Sequence, residues 1–199
     1  MTQPLADPAL DQLFREARTY NGFLDKPVSE DQLRAIWDLV RMAPTSANSL
    51  PGRFVWCTSE EAKERLAALA SGNNAPKILA APVTVIIGMD VNFHESLPEF
   101  YPAVPAMKDI MGGLPESVRA DMALRNSSLQ GAYFIMAARA LGLDTGPMTG
   151  FSTDAVDAAF LADKPAYKSV MISTLGYGDP ASIFDRSPRP DFDTFNSIV

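Results

Sequence analysis

The sequence is poor in the residues that build disulfides and transition-metal sites. Among its 199 residues it has one cysteine, Cys57, and one histidine, His94. A single cysteine excludes an internal disulfide, and the two residues together supply too few ligands for a zinc or iron site. Sites made of carboxylates alone stay open, but no acidic spacing indicates one. The sequence therefore predicts no bound metal.

Long apolar runs are also absent. The most apolar stretch carries Arg139 near its end and Asp144 just after it, which leaves no segment long enough to cross a bilayer. The first ten residues, MTQPLADPAL, have neither a basic start nor an apolar core of the kind found in secretion signals. We therefore expect a cytoplasmic protein that does not contact a membrane.

Basic charge is scarce as well. The chain has 17 Lys and Arg against 24 Asp and Glu, a net charge of −7, and its basic residues are scattered. Proteins that bind nucleic acid usually concentrate basic residues on one face. Nucleic acid is therefore not an expected partner.

Several catalytic signatures are missing. The nearest match to a dinucleotide-binding glycine motif is Gly176 and Gly178, but Asp179 and Pro180 follow where a helix should begin. There is no Walker lysine motif and no Gly-x-Ser-x-Gly motif. His94, the only candidate base for a serine or cysteine nucleophile, stands beside no matching motif. We expect this histidine to be solvated or to cap a helix.

The sequence does have enough apolar material for one core. Hydrophobic residues make up 47% of the chain and no break in composition divides it, which predicts a single domain over residues 1–199. Apolar periodicity predicts helices over 9–17, 29–42, 60–70 and 153–161, and strands over 53–58, 82–89 and 168–175. Ser29 and Gln32 fit a capping box at the start of the second helix.

The segment that we expect at the centre of the fold is an apolar helix over 129–141. Only two polar residues interrupt it, so it is predicted to be buried on all sides. Gly142 fits the left-handed turn that ends many helices. Pro147 and its neighbouring glycine predict that 142–150 is a rigid loop, whose backbone N–H groups can approach a flat ligand. An ordinary helix end followed by a turn is the alternative interpretation.

Two further polar loops and the end of the chain are distinctive. Residues 44–52 place small hydroxyl and amide side chains between two prolines, which suits either a polar cradle or a plain loop of turn formers. The sequence also has a predicted turn at 18–22 and arginines near both ends of the chain. This arrangement suits a large planar ligand that carries a phosphate. The tail, about 181–199, lacks helical periodicity, and we expect it to lie across a partner subunit.

The segment 90–106 is rich in proline and aromatic residues. Prolines at positions 98, 102 and 105 are incompatible with a long regular element. Aromatic residues on such a segment can cover a ligand, so both a surface lid and a structural insertion are open interpretations.

These segments together resemble the nitroreductase-like flavoproteins. The resemblance runs from Arg18 to Arg189, nearly the full chain. It implies an α+β fold with a central, mostly antiparallel sheet, helices around a buried core helix, and an intertwined homodimer. It also implies bound FMN, NAD(P)H as co-substrate, ping-pong hydride transfer through flavin N5, and no catalytic side chain.

The resemblance assigns residues to each part of the flavin. Residues 18–20 are similar to the first phosphate-binding segment, and Arg186 and Arg189 to a C-terminal phosphate clamp. The loop 44–51 is similar to one that reaches the partner's flavin, and 142–151 to one whose backbone, at Thr149 and Gly150, contacts N5. The full set comprises Arg18, Thr19, Tyr20, Pro44, Thr45, Ser46, Ala47, Asn48, Asn73, Lys77, Pro147, Met148, Thr149, Gly150, Arg186 and Arg189. Asn73 or Lys77 would contact the pyrimidine edge of the ring, although a solvated charge is an equal alternative for the lysine.

Within the family, segments 18–22, 45–48, 125–130 and 187–190 resemble the branch that reduces malonic semialdehyde to 3-hydroxypropionate in pyrimidine degradation. Many relatives have a serine where Tyr20 stands and a basic residue where Gly22 stands. The charge of the phosphate must then be matched mainly by Arg18 and Arg189. The alternatives are a broad nitroaromatic or quinone reductase, a flavin-binding protein without turnover, and an interaction protein without a cofactor.

Overall fold

A computed structural model describes residues 3–199, so Met1 and Thr2 of the predicted domain lie outside it. Its centre is one antiparallel sheet of four strands in the order β1-β2-β4-β3. The strands are β1 (Gly52–Cys57), β2 (Val83–Asp90), β3 (Asp144–Met148) and β4 (Tyr167–Gly176). The predicted strands 53–58, 82–89 and 168–175 are confirmed as β1, β2 and β4. β2 is buried along almost its whole length, as its continuous apolar sequence predicts.

Helices cover the sheet. They are α1 (Asp7–Leu10), α2 (Glu30–Val40), α3 (Glu60–Ala67), α4 (Ala75–Ala80), α5 (Leu97–Phe100), α6 (Met107–Gly112), α7 (Glu116–Ala140), α8 (Thr153–Phe160) and α9 (Phe192–Phe195). α1 continues as a π-helical turn over Asp11–Arg15. The capping box of α2 is confirmed, because the Ser29 hydroxyl accepts from the Gln32 N–H while the Gln32 side chain accepts from the Ser29 N–H at 3.0 Å.

The prediction that the central helix has no solvated face is wrong for the single chain. α7 begins at Glu116, well before the predicted apolar run. Phe134 is fully buried, but Leu129 and Tyr133 are 48% and 41% exposed. One side of α7 packs on α2 and the sheet, while a stripe of apolar side chains on the other side faces outward.

The prediction that 142–150 is a loop is also wrong in part, because 144–148 forms β3. This strand pairs with β4 and lies at the edge of the sheet, where its outer side forms an isolated bridge with Thr19. An edge strand tolerates Pro147 because one of its sides needs no partner strand. The predicted left-handed turn is confirmed, since Gly142 has φ +74°.

Gly142 allows a test of this turn. No atom lies within 4 Å of the position that a Cβ would take at Gly142 or at Gly72, and of the two only Gly142 has a positive φ. Gly142→Ala should lower the free energy of unfolding by about 1 kcal/mol, because an L-residue is strained there. Gly72→Ala is the matched control and should stay within about 0.5 kcal/mol of the parent in urea unfolding. Equal effects of the two substitutions would contradict the assignment.

The first half of the proline-rich segment 90–106 is packed against the body of the protein, while most of 98–106 is exposed. It contains a 3₁₀ turn (Phe93–Ser96) and the short helix α5, and Phe93 and Leu97 are almost fully buried. His94 is buried as well, so the solvated alternative for this histidine is wrong, and its Nδ1 caps no helix among the described residues because it has no hydrogen-bond partner there. The segment folds in spite of its prolines, because Pro98 lies in the first turn of α5 and the other two lie in turns.

Within residues 3–199, no helix has the length and hydropathy that a membrane span requires. In the same range no cluster of three or more His, Cys, Asp or Glu side chains is arranged to hold a metal ion.

Candidate functional site

Four arginines meet in one cleft at the C-terminal end of α7. The cleft has a volume of about 310 Å³. Its walls include Arg18, Arg139, Arg186 and Arg189. Three of these were predicted to bind a phosphate, and the fold brings them together from opposite ends of the sequence. Guanidinium groups match phosphate oxygens in charge and geometry, so the cleft is suited to an anion.

The segment 18–20 is held on the outer edge of β3. Thr19 forms a parallel bridge with Thr145, and the Tyr20 N–H donates to the Thr145 carbonyl at 3.2 Å. Asn21 donates from its amide to the Ser182 carbonyl at 3.1 Å. Backbone pairing thus fixes the place from which Arg18 reaches the cleft.

The start of the tail is anchored to the same segment. Arg18 donates to the Phe184 carbonyl, and Arg186 donates to the Ala17 carbonyl at 3.1 Å. Arg189 donates to the Ser187 carbonyl at 2.8 Å. A guanidinium has five N–H donors, so each arginine keeps donors for a ligand. The partner contact predicted for the rest of the tail stays a prediction; its side chains Phe192, Phe195 and Ile198 are exposed.

Arg139 was not predicted as a site residue. Its Nη1 donates to the Leu13 carbonyl at 2.9 Å, while its buried Nε has no hydrogen-bond partner among the described residues. Burial lowers the pKa of this guanidinium, nearby Asp144 raises it, and nearby Arg186 lowers it. A signal was available in the sequence, since Arg139 is a charged residue in an apolar helix, three positions before its glycine end.

Asp144 is the half-buried carboxylate beside the cleft. Its pKa is raised by burial, against the opposing effects of the Gly178 N–H, which donates to it at 2.9 Å, and of Arg139. The pKa of Tyr20 is raised by burial and by Asp144. One exposed carboxylate, Asp185, lines the cleft itself. The arginines therefore outnumber the acids around it, and the cleft is positive.

The far end of β3 reaches a second group of predicted residues. From Thr145 to Gly150 the chain spans about 16 Å, at roughly 3.3 Å per residue. The Gly150 carbonyl accepts from the Ser71 N–H at 2.9 Å and from the Asn74 amide at 3.0 Å. A Cβ at Gly150 would lie 2.7 Å from that amide nitrogen, so a larger residue here would force the Asn74 side chain to move. No hydrogen bond to the N–H of Thr149 or Gly150 occurs within the described part of the chain.

Asn73 and Lys77 lie beside this end of β3. Asn73 is exposed, while its neighbour Asn74, which was not predicted, makes the contact with Gly150. Lys77 lies in α4, three residues after Asn74, and is half-buried. Pro147 and Met148 belong to β3 and pair with Ser173 and Ile172. The structure thus places 147–150, Asn73 and Lys77 in one neighbourhood.

Several polar groups of the loop 44–52 form hydrogen bonds within the chain. Thr45 accepts through its hydroxyl from the Leu50 N–H at 3.1 Å, and Asn48 donates to the Phe100 carbonyl at 2.7 Å. The Ser46 N–H donates to the Asn126 side chain at 2.8 Å. Ala47, Asn48 and Leu50 all have positive φ values, between 42° and 52°. Such backbone strain is commonly found at binding sites.

Within one chain, this loop is remote from the other predicted residues. It precedes β1, which lies three strand spacings, about 14 Å, from β3 across the sheet. It contacts α7 at Asn126, thirteen residues or about 20 Å along the helix from Arg139. The predicted site residues therefore lie at three places on one chain: the arginine cleft, the far end of β3, and this loop on the other side of the sheet.

The sequence matches the protein-family model described as the Nitroreductase family over residues 14–177. The chain therefore belongs to the nitroreductase family. It is 54% identical over 193 residues to a Stenotrophomonas maltophilia (strain R551-3) protein, with 97% of each chain covered. It is 52% identical over 192 residues to a Caulobacter sp. (strain K31) protein, with 96% of each covered. Both carry the provisional name NADH dehydrogenase/NAD(P)H nitroreductase.

Solved structures share the fold. A nitroreductase from Exiguobacterium sibiricum 255-15, described in complex with FMN, superimposes with a TM-score of 0.87 at 25% identity over 100% of both chains. A Bacillus subtilis nitroreductase gives a TM-score of 0.88 at 23% identity, covering 98% of this chain and 100% of that one. The predicted antiparallel α+β fold of the nitroreductase type is confirmed.

Proposed function

We propose that this protein is an FMN-dependent NAD(P)H oxidoreductase whose flavin site is shared between two copies of the chain. The observation that carries the proposal is the arginine cleft at one end of β3, with two N–H groups at 149–150, at the other end, that find no acceptor within residues 3–199. The FMN complex of the Exiguobacterium relative and the names of the Stenotrophomonas and Caulobacter relatives support it.

The arginine cleft fits the phosphate of FMN. A phosphate dianion needs several charged donors, and Arg18, Arg186 and Arg189 supply them from the surface of the cleft. Arg139 adds a buried Nε that lacks a partner among residues 3–199. The Arg139 residue also lines the cleft, so its positive charge adds to the attraction for a phosphate. The cleft is thus matched to a phosphate before any ligand enters.

The far end of β3 fits the flavin ring. Thr149 and Gly150 present two adjacent N–H groups, and the bonds that Ser71 and Asn74 make to the Gly150 carbonyl fix the orientation of that residue. Donors held in place stabilise charge on a ring nitrogen without reorganisation. Lys77 follows in the same neighbourhood and would face the pyrimidine oxygens.

Two copies of the chain would complete the site. The loop 44–48 is about 14 Å across the sheet from β3, so it contacts a flavin on β3 only if that flavin belongs to a partner. The outward stripe on α7, with Leu129 and Tyr133, offers the apolar surface that a dimer would bury. The tail, with exposed Phe192 and Phe195, would extend onto the partner.

The chemistry that a bound FMN supplies is two-electron transfer from NAD(P)H to an acceptor. The protein's own contribution is to bind and orient. The arginines hold the phosphate, 149–150 hold one edge of the ring, and the strained loop 44–48 limits access to its face. Such an arrangement admits one ligand at a time, and therefore suits a nicotinamide and an acceptor that bind in turn.

For the acceptor we propose malonic semialdehyde, with nitroaromatic compounds or quinones as the alternative. Two segments of the resemblance to the semialdehyde branch, 45–48 and 125–130, are in contact. The contact is the hydrogen bond between Ser46 and Asn126. The names of the relatives favour the alternative.

Steady-state kinetics test the function. With NADH or NADPH varied against malonic semialdehyde, we expect parallel double-reciprocal lines, because the two ligands bind in turn. The same assay with a nitroaromatic acceptor is the comparison. Turnover of the nitroaromatic alone would establish the alternative acceptor. Oxidation of NAD(P)H without transfer to any acceptor would point to a flavin-binding protein and contradict the proposal.

A further inference from the structure

The Asn74 side chain connects the start of α4 to the segment that follows β3. Asn74 is half-buried, and its Nδ2 donates to the Gly150 carbonyl at 3.0 Å. This contact sets the orientation of the amide, because only the NH2 group of an asparagine side chain can donate to a carbonyl. Two segments that are far apart in the sequence are thus joined through one side chain.

Asn74 makes this contact in place of a local one. Asparagine is a favoured N-cap residue, because its side chain can accept from the first N–H groups of a helix. Asn74 occupies the N-cap position of α4, yet its side chain forms no capping hydrogen bond among the residues that the structure describes. It bonds instead to a residue 76 positions further along the chain. The contact therefore serves the segment around Gly150 rather than α4.

Hydrogen bonds hold the backbone on both sides of Gly150. Its carbonyl accepts from the Ser71 N–H at 2.9 Å as well as from Asn74. On the other side, the Thr149 carbonyl accepts from the Phe151 N–H at 3.1 Å. Glycine has more conformational freedom than any other residue, so these bonds determine which way the two peptide groups face. Of the three donors, Asn74 is the one that a substitution can remove.

Asn74 also confines Gly150 sterically. A Cβ at Gly150 would lie 2.7 Å from Asn74 Nδ2 and 2.8 Å from Ser71 Oγ, so the glycine fits closely between these two side chains. Removing the Asn74 amide would take away both a hydrogen-bond donor and one of the groups that limit how the Gly150 backbone can turn.

The N–H groups of Thr149 and Gly150 are the donors that the proposed function gives to the flavin ring. They find no acceptor in the described part of the chain. A donor contributes most to binding when its direction is fixed in advance, because the backbone need not become ordered as the ligand enters. We propose that Asn74 is a positioning residue, which holds the Gly150 peptide so that these N–H groups stay directed at the ring. This inference rests on the proposed function.

Titration of the flavin-free protein with FMN tests this role. Asn74→Ala and the isosteric Asn74→Asp both remove the donor to the Gly150 carbonyl, and each should weaken FMN binding about three- to tenfold, the equivalent of one neutral hydrogen bond. Inorganic phosphate, which needs only the arginine cleft, should bind both variants as it binds the parent. General damage to the fold would weaken both ligands. Asn92→Ala, at an exposed asparagine that follows β2, is the matched control and should bind FMN as the parent does.

Nuclear magnetic resonance separates positioning from direct contact with the flavin. The resonance of the Gly150 N–H reports the surroundings of that donor. At saturating FMN we expect it to move in the parent and in Asn92→Ala. In Asn74→Ala it should move less than half as far, because the N–H is no longer held toward the ring.

The proposal is overturned if both Asn74 variants bind FMN as tightly as the parent, or if they lose phosphate binding to the same extent. It is also overturned if FMN affinity falls while the Gly150 resonance moves as far as in the parent, since Asn74 would then contact the flavin itself. Parent protein that binds no FMN would overturn the proposed function as well. Binding by the parent with unaffected variants would overturn the positioning role alone.

Discussion

We expect the double substitution Arg18→Ala and Arg189→Ala to yield purified protein that has lost its flavin colour. Both guanidinium groups line the cleft that we assign to the FMN phosphate. Each charge-assisted hydrogen bond contributes about 1.5–3 kcal/mol, so losing two weakens FMN binding roughly 100- to 10,000-fold. The measurement is the ratio of visible to ultraviolet absorption after purification, followed by titration of the variant with FMN.

The control for this prediction replaces two arginines elsewhere. Arg15 and Arg34 are exposed and pair with acids on their own helical segments, outside the cleft. Arg15→Ala with Arg34→Ala should keep full flavin content. Full occupancy in the Arg18 and Arg189 variant would refute the assignment of the phosphate. Arg139→Met is a further test, because it removes the buried guanidinium. It should weaken the binding of FMN while the two surface arginines stay in place.

The second large effect concerns the dimer that we propose. Leu129→Arg with Tyr133→Arg places two charges on the outward stripe of α7, where both parent side chains are over 40% exposed in the single chain. Burying two unpaired charges in an interface is prohibitive, so the variant should sediment as a monomer. It should also release FMN, because the loop 44–48 would no longer reach a partner's flavin.

An exposed leucine outside this stripe provides the control. Leu79 in α4 is 48% exposed, and Leu79→Arg should leave both the dimer and the flavin intact. Sedimentation velocity and visible absorption on the same samples give both readouts. A monomer that retains flavin would refute the shared site, and a variant that stays dimeric would refute the assigned interface.

Much of the fold follows from local patterns in the sequence. β2 was predictable because a continuous apolar run suits a strand buried on both faces. α2 was predictable because Ser29 and Gln32 complete a capping box, and Gly142 because a helix end needs a residue that tolerates positive φ. β3 was not predictable, since a strand that contains glycine and proline is held by its neighbours rather than by its own preferences.

The candidate site, like the fold, was predictable only in part. The glycines and arginines that mark its segments could be found in sequence, but their grouping depends on how the sheet is ordered. Arg139 was missed because its exposure to a cleft depends on where the tail lies. The outward face of α7 was missed because periodicity reports apolar character and does not show which sides of a helix are packed within its own chain. Asn74 was missed in favour of Asn73, because only the pairing with Gly150 tells the two apart.

The central claim is that this chain binds FMN through arginines from both ends of its sequence, and the visible absorption spectrum of the purified protein tests it most directly. We predict flavin bands from the protein as isolated, or their appearance as bound flavin after FMN is added and excess is removed. Protein that is colourless and retains no FMN after this reconstitution would contradict the account.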